Sequence, residues 1–463
     1  MRRRNSYGYR RKSSIWPKLL ILLLIVGAGA YYVYTSPMFE RVKPTITTQE
    51  VIYSGTTEPL KVVLEDNMGL AQYNAVFSSG TSSIVAASGT FDMPIKKTEV
   101  LIPFPKQMRE SKEGTKWKLT IYLKDKSFWN YIQDNRAIKT MEIEADTKPP
   151  FVAVIAKSAT MARGGSALIV FKAKDANLKE AYVISGGIKF KATPYRKKGY
   201  YATLIAWPFK KKRIKIYVEA VDVAGNKSRK KVIFPKVHRQ YRVSKIRLSD
   251  RFIDGKIVDV AEMDPDVAQV KDRLKKFRAV NEDMRIGNEK LIHKLAKQKS
   301  FDMIDHWKVK AFYPLKSGKL VADFGDERHY YYKNKDNEVS ISYHVGYDMA
   351  STRHAPIISS NKGIVTYAAL NGIYGNMPLI NHGFGLSTLY GHCSRLLVEE
   401  DEEIEAGQMI ARSGKTGLAL GDHLHFGVLI HGVEVWPMDW MKGNWIKKNI
   451  DKVFKSADKV IGK

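Results

Sequence analysis

The stretch Gly421-Asp422-His423-Leu424-His425-Phe426, read together with His344-Val345-Gly346-Tyr347-Asp348, decides how the C-terminal part of this chain folds. In an extended strand alternate side chains share a face. The step from His423 to His425 and the step from His344 to Asp348 are both even, so each puts its two groups on one side. Three nitrogen or oxygen donors drawn from two such strands, with a fourth position left open, form the donor pattern of a catalytic zinc. Each pair alone is a weak signal, because a His-x-His on a strand is more often an accident and Asp348 alone reads as a turn residue. The distribution of histidine sharpens it: of 11 in the chain, eight lie between His329 and His431.

The residues around these pairs extend the pattern in order. Phe324-Gly325-Asp326-Glu327-Arg328 precedes His344-x-Gly-x-Asp348. After it come Gly363-Ile364-Val365, Tyr374-Gly375, Asn381-His382-Gly383-Phe384-Gly385 and Tyr390-Gly391-His392. Gly407-Gln408 and Gly414-Lys415-Thr416-Gly417 lead into the His423-x-His425 stretch. The ordered set closely resembles the lysostaphin and LytM type of zinc metallopeptidase, over roughly residues 310–440. That resemblance implies a compact, mainly antiparallel β domain with a narrow groove, one zinc ion held by His344, Asp348 and His425, and catalytic positions at His392 and His423. The implied reaction is hydrolysis of amide bonds in peptidoglycan, with stem peptides or cross-bridges as substrate. Imidazoles suit the catalytic positions because they move protons near neutral pH.

Some positions depart from the family pattern. Ala419-Leu420-Gly421-Asp422 stands where Ser-Thr-Gly-Pro is usual, and Gly427 stands where an acidic residue is common. No ligand is lost. Asp422 reads as a turn cap before it reads as a partner of His423. Cys393, beside His392, reads as a small buried thiol, and as the one cysteine it excludes an internal disulfide. His329, His354, His382 and His431 read as structural or surface residues, with His382 the candidate to support a ligand from behind.

Upstream, Asp264-Pro265 is a helix start, an N-cap side chain followed by a residue that tolerates the first turn. Val267, Val270, Leu274, Phe277, Met284, Leu291 and Leu295 then alternate three and four apart, which predicts one long amphipathic helix within a connector over 262–300. Asn281 and Asn288 fall on core positions of that heptad. Two readings stay open, a paired coil in a homodimer or with a regulatory partner, and a helix packed on its own neighbouring domain.

Short apolar runs bounded by Gly, Asn, Asp and Pro predict strands from about Val51 to Pro235. Leu60 to Tyr73 is echoed by Leu168 to Tyr182, and Leu119 to Asp125 by Ile214 to Asp222, so two β-sandwiches in tandem are expected, 45–147 and 148–240. Asp146-Thr147-Lys148-Pro149-Pro150 and Val221-Asp222-Val223-Ala224-Gly225-Asn226 resemble the boundaries of bacterial immunoglobulin-like domains. The pair reads as a spacer or, through Lys210-Lys211-Lys212-Arg213, as a wall- or partner-binding module.

At the N-terminus a basic tail over 1–18, with Arg2, Arg3, Arg4, Arg10, Arg11, Lys12 and Lys18, precedes an uncharged run over 19–36. The basic flank predicts a single pass through the cytoplasmic (inner) membrane, N-terminus inside and the bulk in the periplasm or outside. A cleaved signal, with Ala28-Gly29-Ala30 as its site, is the alternative. The net charge of +30 suits an anionic envelope, and export argues against nucleic acid. The expected architecture is mainly β and multidomain: tail, transmembrane helix, two immunoglobulin-like sandwiches, helical connector, zinc peptidase domain over 310–446 and a basic tail over 447–463. A catalytically silent envelope scaffold, or an activator of another wall hydrolase, is the rival to a zinc endopeptidase; such relatives typically lack a ligand, and all five positions are filled here.

Overall fold

The computed structural model describes residues 14–462 apart from 52, 56–57, 133–134 and 299–306, so most of the basic N-terminal flank lies outside the described residues. The first helix is Trp16–Thr35, 20 residues, with Pro17 in its first turn and no buried residue. At 1.5 Å per residue it is about 30 Å long, the thickness of a bilayer's hydrocarbon core. By length and composition it can cross a membrane. It starts three residues before Leu19 because proline fits the first helical turn, where no N–H is needed.

Two compact units follow from the pattern of contacts, Met1–Lys148 with Val223–Asn226, and Pro149–Asp222 with Lys227–Lys463. In the first, a sheet of Thr45–Thr48, Leu60–Glu65 and Lys97–Ile102 faces a sheet of Tyr53–Ser54, Arg136–Ala145, Lys116–Asp125, Leu70–Ser79 and Ser82–Thr90. Along Lys116–Asp125 burial alternates, so Trp117, Leu119, Ile121 and Leu123 meet Val62 and Leu64 of the other sheet in one core. Period-two alternation gives each strand one apolar face, and two such faces close a sandwich.

The second unit opens with another pair of sheets, built around Ser166–Lys174 and Ile216–Asp222. Ser166–Lys174 is buried along nearly its whole length. One face meets the sandwich core and the other meets the C-terminal helix Lys452–Ile461. The expected basic tail is therefore a docked amphipathic helix: Val453, Ala457 and Ile461 point inward. Tyr195 Oη donates to Asp458 at 2.7 Å, and Lys197 Nζ donates to the terminal carbonyls of Ile461 and Gly462 at 3.0 and 2.6 Å. A cation at the carbonyl end of a helix satisfies groups that have no partner within it.

The connector is helical but broken. Ile257–Ala261, Pro265–Ala268, Arg273–Arg278, a wider π-type turn over 279–284 and Arg285–Gln298 succeed one another. Asp264 caps the second piece as expected, and Asp272, accepting from Leu274 N and Lys275 N, starts a new one where a continuous helix was predicted. Val267, Phe277, Val280, Met284 and Ile292 pack on Tyr330, Tyr374, Leu379, Leu389 and Leu429. Asn281 donates to Ser340 Oγ at 2.8 Å and Asn288 Oδ1 accepts from Ile373 N at 2.9 Å. Of the two readings left open, the helices pack on their own neighbouring domain, and both asparagines are used there instead of in a paired coil.

That neighbour is an eight-stranded antiparallel sheet in the order Lys319–Ala322, Tyr347–Ala350, Leu424–Ile430, Leu386–Gly391, Asn376–Asn381, Gly363–Leu370 and Glu403–Ile404, with Val433–Val435 beside Leu424–Ile430. Its core, including Tyr390, Phe426, Val428 and Trp440, runs on without interruption into that of the adjacent sandwich. Trp440 Nε1 donates to Ser166 Oγ at 3.0 Å and Ser158 Oγ to Asn449 O at 2.6 Å. Within this unit the sandwich is not a detached spacer.

Candidate metal centre

Three adjacent strands assemble the site. In the pairing of Tyr347–Ala350 with Leu424–Ile430, Asp348 stands opposite His425, and in that of Leu386–Gly391 with Leu424–Ile430, Gly391 stands opposite His425. His392 therefore follows directly on the strand that flanks His425. His423 and His425 share a face by strand alternation, as the even spacing predicts. His344 and Asp348 come together differently. His344 lies between Glu338–Tyr343 and Tyr347–Ala350, and the chain turns at Gly346 to bring the two side chains onto one point.

His344 Nε2 lies 3.1 Å from His425 Nδ1 and 3.0 Å from Asp348 Oδ1, and His425 Nδ1 lies 2.8 Å from the same oxygen. His344 and His425 are each 5% exposed and Asp348 is 8% exposed. His344 Nδ1–H donates to the Asp323 carbonyl at 2.8 Å, which leaves the Nε2 lone pair directed at the cluster. A carboxylate and two imidazole nitrogens about 3 Å apart fit the edges of a tetrahedron built on Zn–N and Zn–O bonds of about 2.0–2.2 Å, edges of about 3.3 Å. The donor set suits zinc in kind as well as in spacing.

Electrostatics agree. Burial works against a charge on Asp348, yet the adjacent His344 and His425 outweigh it and hold the carboxyl well below its usual range. Burial pushes His425 down to about 4, against the pull of Asp348. His392 is driven to about 3, first by burial and then by His423 and His425. Both rings are thus neutral at neutral pH, the form in which nitrogen offers a lone pair.

His392 and His423 flank the cluster with ring centroids 4.8 Å apart. Each is oriented by a main-chain carbonyl at Nδ1: His392 by Thr416 at 2.8 Å, His423 by Gly421 at 2.9 Å. His423 Nε2 is 3.7 Å from Asp348 Oδ2. All five residues singled out from the sequence line one cleft of about 510 Å³. Its other wall, which sequence reading missed, comes from upstream and includes Arg247, Ser249, Phe277 and Arg285. Asp323 also escaped notice, and Thr416 was noted only within the stretch Gly414-Lys415-Thr416-Gly417, because both act through backbone carbonyls that any residue type provides.

His382 does not support a ligand. Its Nδ1 bonds Lys362 O at 2.8 Å and its Nε2 bonds Thr388 Oγ1 at 2.7 Å, with Phe312 against the ring. Asp422 braces the loop, accepting from His354 N at 3.1 Å and from Ser413 Oγ. Cys393 is buried, its thiol pushed up by burial, and it donates to Tyr390 O at 3.3 Å.

Two outcomes follow from this packing. A Cβ on Gly346 would sit 2.2 Å from His425 Cε1. Gly346→Ala is therefore expected to displace that ring, lowering metal affinity about 10–100-fold and stability by about 1–3 kcal/mol, read by metal titration and thermal melts. The second concerns pH. Burial holds His382 at about 4, whereas an exposed imidazole titrates near 6.5. Above about pH 6.5 neither state carries the proton and stability is complete. As pH falls from there towards 4 only the unfolded chain takes the proton up, costing about 3 kcal/mol in all. The melting midpoint should fall across that window, less so in His382→Gln; a flat midpoint would contradict a buried neutral imidazole.

The family model described as Peptidase family M23 matches residues 342–437. The chain is 36% identical over 95 residues to the DD-carboxypeptidase/endopeptidase Mpg of Neisseria meningitidis serogroup B, covering 20% of this chain and 22% of that protein. It is 38% identical over 98 residues to the murein hydrolase activator NlpD of Escherichia coli K12, 21% of this chain and 25% of that protein. The chain thus spans about a quarter or less of the length of these two. The lipoprotein NlpD of Yersinia enterocolitica is 40% identical over 96 residues, 20% of this chain and 97% of that sequence. Since this last likeness takes in almost all of its relative, and the stretch 342–437 holds the three clustered side chains and the two histidines beside them, the chain belongs to peptidase family M23.

Proposed function

We propose that the protein is a zinc metalloendopeptidase that hydrolyses peptide cross-links of peptidoglycan, held at the cytoplasmic membrane by the Trp16–Thr35 helix with its bulk on the wall side. The observation that carries this reading is the convergence of three donors within 3.1 Å at the base of a cleft, with two further imidazoles beside them. His344, Asp348 and His425 would hold the ion. Bound zinc lowers the pKa of water towards 7 and polarises a carbonyl.

The chain's own groups supply the rest. Each of His392 and His423 has Nδ1–H committed to a carbonyl, so Nε2 is the atom that takes up a proton and later returns it. Between them they accept the proton of the attacking water and serve the oxyanion or the departing amine. Arg247 and Arg285 on the opposite wall suit the carboxylates of a stem peptide.

The activator reading is favoured by one observation, the likeness to proteins named murein hydrolase activator. Both readings meet in one experiment. Purified full-length chain loaded with zinc is incubated with defined cross-linked muropeptides, alone and with a second murein hydrolase. Cleavage of the cross-link by the chain alone supports the endopeptidase, and names the bond. No cleavage alone, with a faster second hydrolase, would replace it by the activator.

A further inference from the structure

Three carboxylates meet in the first unit, far in sequence from the peptidase site. Glu40 lies five residues past the end of the Trp16–Thr35 helix, Asp66 follows Leu60–Glu65, and Asp125 ends Lys116–Asp125. One oxygen from each lies within 4.8 Å of the others. Asp66 is 6% exposed and Asp125 is 1% exposed.

The hydrogen bonds around them are all to neutral donors. Asp66 Oδ2 accepts from Met68 N and Gly69 N, both at 2.7 Å. Asp66 Oδ1 is buried and has no partner. Asp125 Oδ1 accepts from Asn130 Nδ2 at 2.6 Å and Ser127 N at 3.0 Å, and its Oδ2 accepts from Asn135 Nδ2 at 2.6 Å. Glu40 Oε2 accepts from Val42 N at 2.9 Å and Asn67 Nδ2 at 3.1 Å. Among the described residues no lysine, arginine or histidine pairs with any of the three. Burying like charges without a counter-ion is costly, and a carboxylate oxygen left without a donor inside a protein costs more still.

Among the described residues, every group that contacts these carboxylates is oxygen or amide, with no imidazole or thiolate. Main-chain carbonyls are at hand as well: Asn135 Nδ2 is within 3.5 Å of Glu40 O and 3.4 Å of Val42 O. A cage of carboxylates and carbonyls with no nitrogen or sulfur ligand selects a hard cation, and one of irregular geometry suits calcium's six to eight oxygens better than the strict octahedron of magnesium. We propose that Glu40, Asp66 and Asp125 form a calcium site, with the unpartnered Asp66 oxygen as one of its ligands.

Its consequence is mechanical. Residues 39–42 already lean on the same loops: the Phe39 and Phe128 rings lie 5.9 Å apart, Arg41 stacks 4.3 Å from the Trp129 ring centre, and Ser127 Oγ donates to Glu40 O at 2.7 Å. A bound cation clamps this stem, which leaves the apolar helix, onto the first sandwich, and fixes the direction in which that domain sets out. Without it only those ring and hydrogen-bond contacts hold the stem.

Arg41 places a readout inside the site. The full-length chain in detergent, stripped with a chelator, is exposed to trypsin with added calcium, with magnesium or with neither. Calcium should slow cleavage after Arg41 at least tenfold, and magnesium at the same concentration should not. Asp66→Asn keeps an acceptor for Met68 N and Gly69 N; it should bind one calcium fewer and be cut at a calcium-independent rate. Glu40→Gln, in the half-buried stem, should behave alike, and carries the test if Asp66→Asn does not fold. Calcium counts equal in wild type and Glu40→Gln, or cleavage after Arg41 that ignores calcium in the wild type, overturns the proposal.

Discussion

Alanine at position 344 is expected to remove the metal and the turnover together. His344 supplies one of three donors, and with it gone His425 and Asp348 are a two-point site open to the cleft. Loss of an outer-shell partner commonly costs 10–100-fold in metal affinity, so loss of a ligand costs more than about 100-fold. Zinc measured on the purified chain should fall from about one per chain to near none, and release of peptides from isolated sacculi should stop. His329→Ala is the control, since that ring is held by Glu338 and Glu327 away from the cluster. Full activity in His344→Ala would refute the metallopeptidase reading.

His392→Ala and His423→Ala should separate binding from chemistry. Neither ring belongs to the three-donor cluster, so each variant keeps its zinc. Removing a positioned proton-transfer group costs about 10²–10⁴ in kcat. KM should change little, because the upstream wall that would hold the peptide, with Arg247 and Arg285, is untouched. A large rise in KM with kcat preserved would make these histidines substrate contacts instead.

The helical layer bears on how such experiments are designed. Phe277, Val280 and Met284 cover Leu379, Leu389 and Leu429 of the peptidase domain. A fragment beginning near Lys308 would expose that apolar surface as well as lose a wall of the cleft, so activity is best read on the whole chain.

Much of the cluster was legible in the sequence because its side chains are chemically distinctive and evenly spaced, and because the ordered residues around them resemble a known family. His423 and His425 share a face as strand alternation requires, and the ordered glycines mark turns wherever the strands sit. The His344–Asp348 pair was found for an incomplete reason. A bend at Gly346, where a side chain would strike the His425 ring, does what an unbroken strand was expected to do. The single long helix failed because its heptad reports which residues are apolar and says nothing of the cap at Asp272 that starts a new axis.

The sequence by itself determined the kinds of element and the apolar N-terminal helix, since periodicity is a local property, and its resemblance to the lysostaphin and LytM type pointed to His344, Asp348 and His425, which the structure brings together. Only the tertiary structure decided that Asn281 and Asn288 serve this chain's own peptidase domain, that the C-terminal residues dock on the second sandwich, and that Glu40 meets Asp66 and Asp125. Those arrangements join segments far apart in the chain, through apolar faces and buried polar groups that any of several partners would satisfy equally well. Which partner is used depends on the packing of the whole.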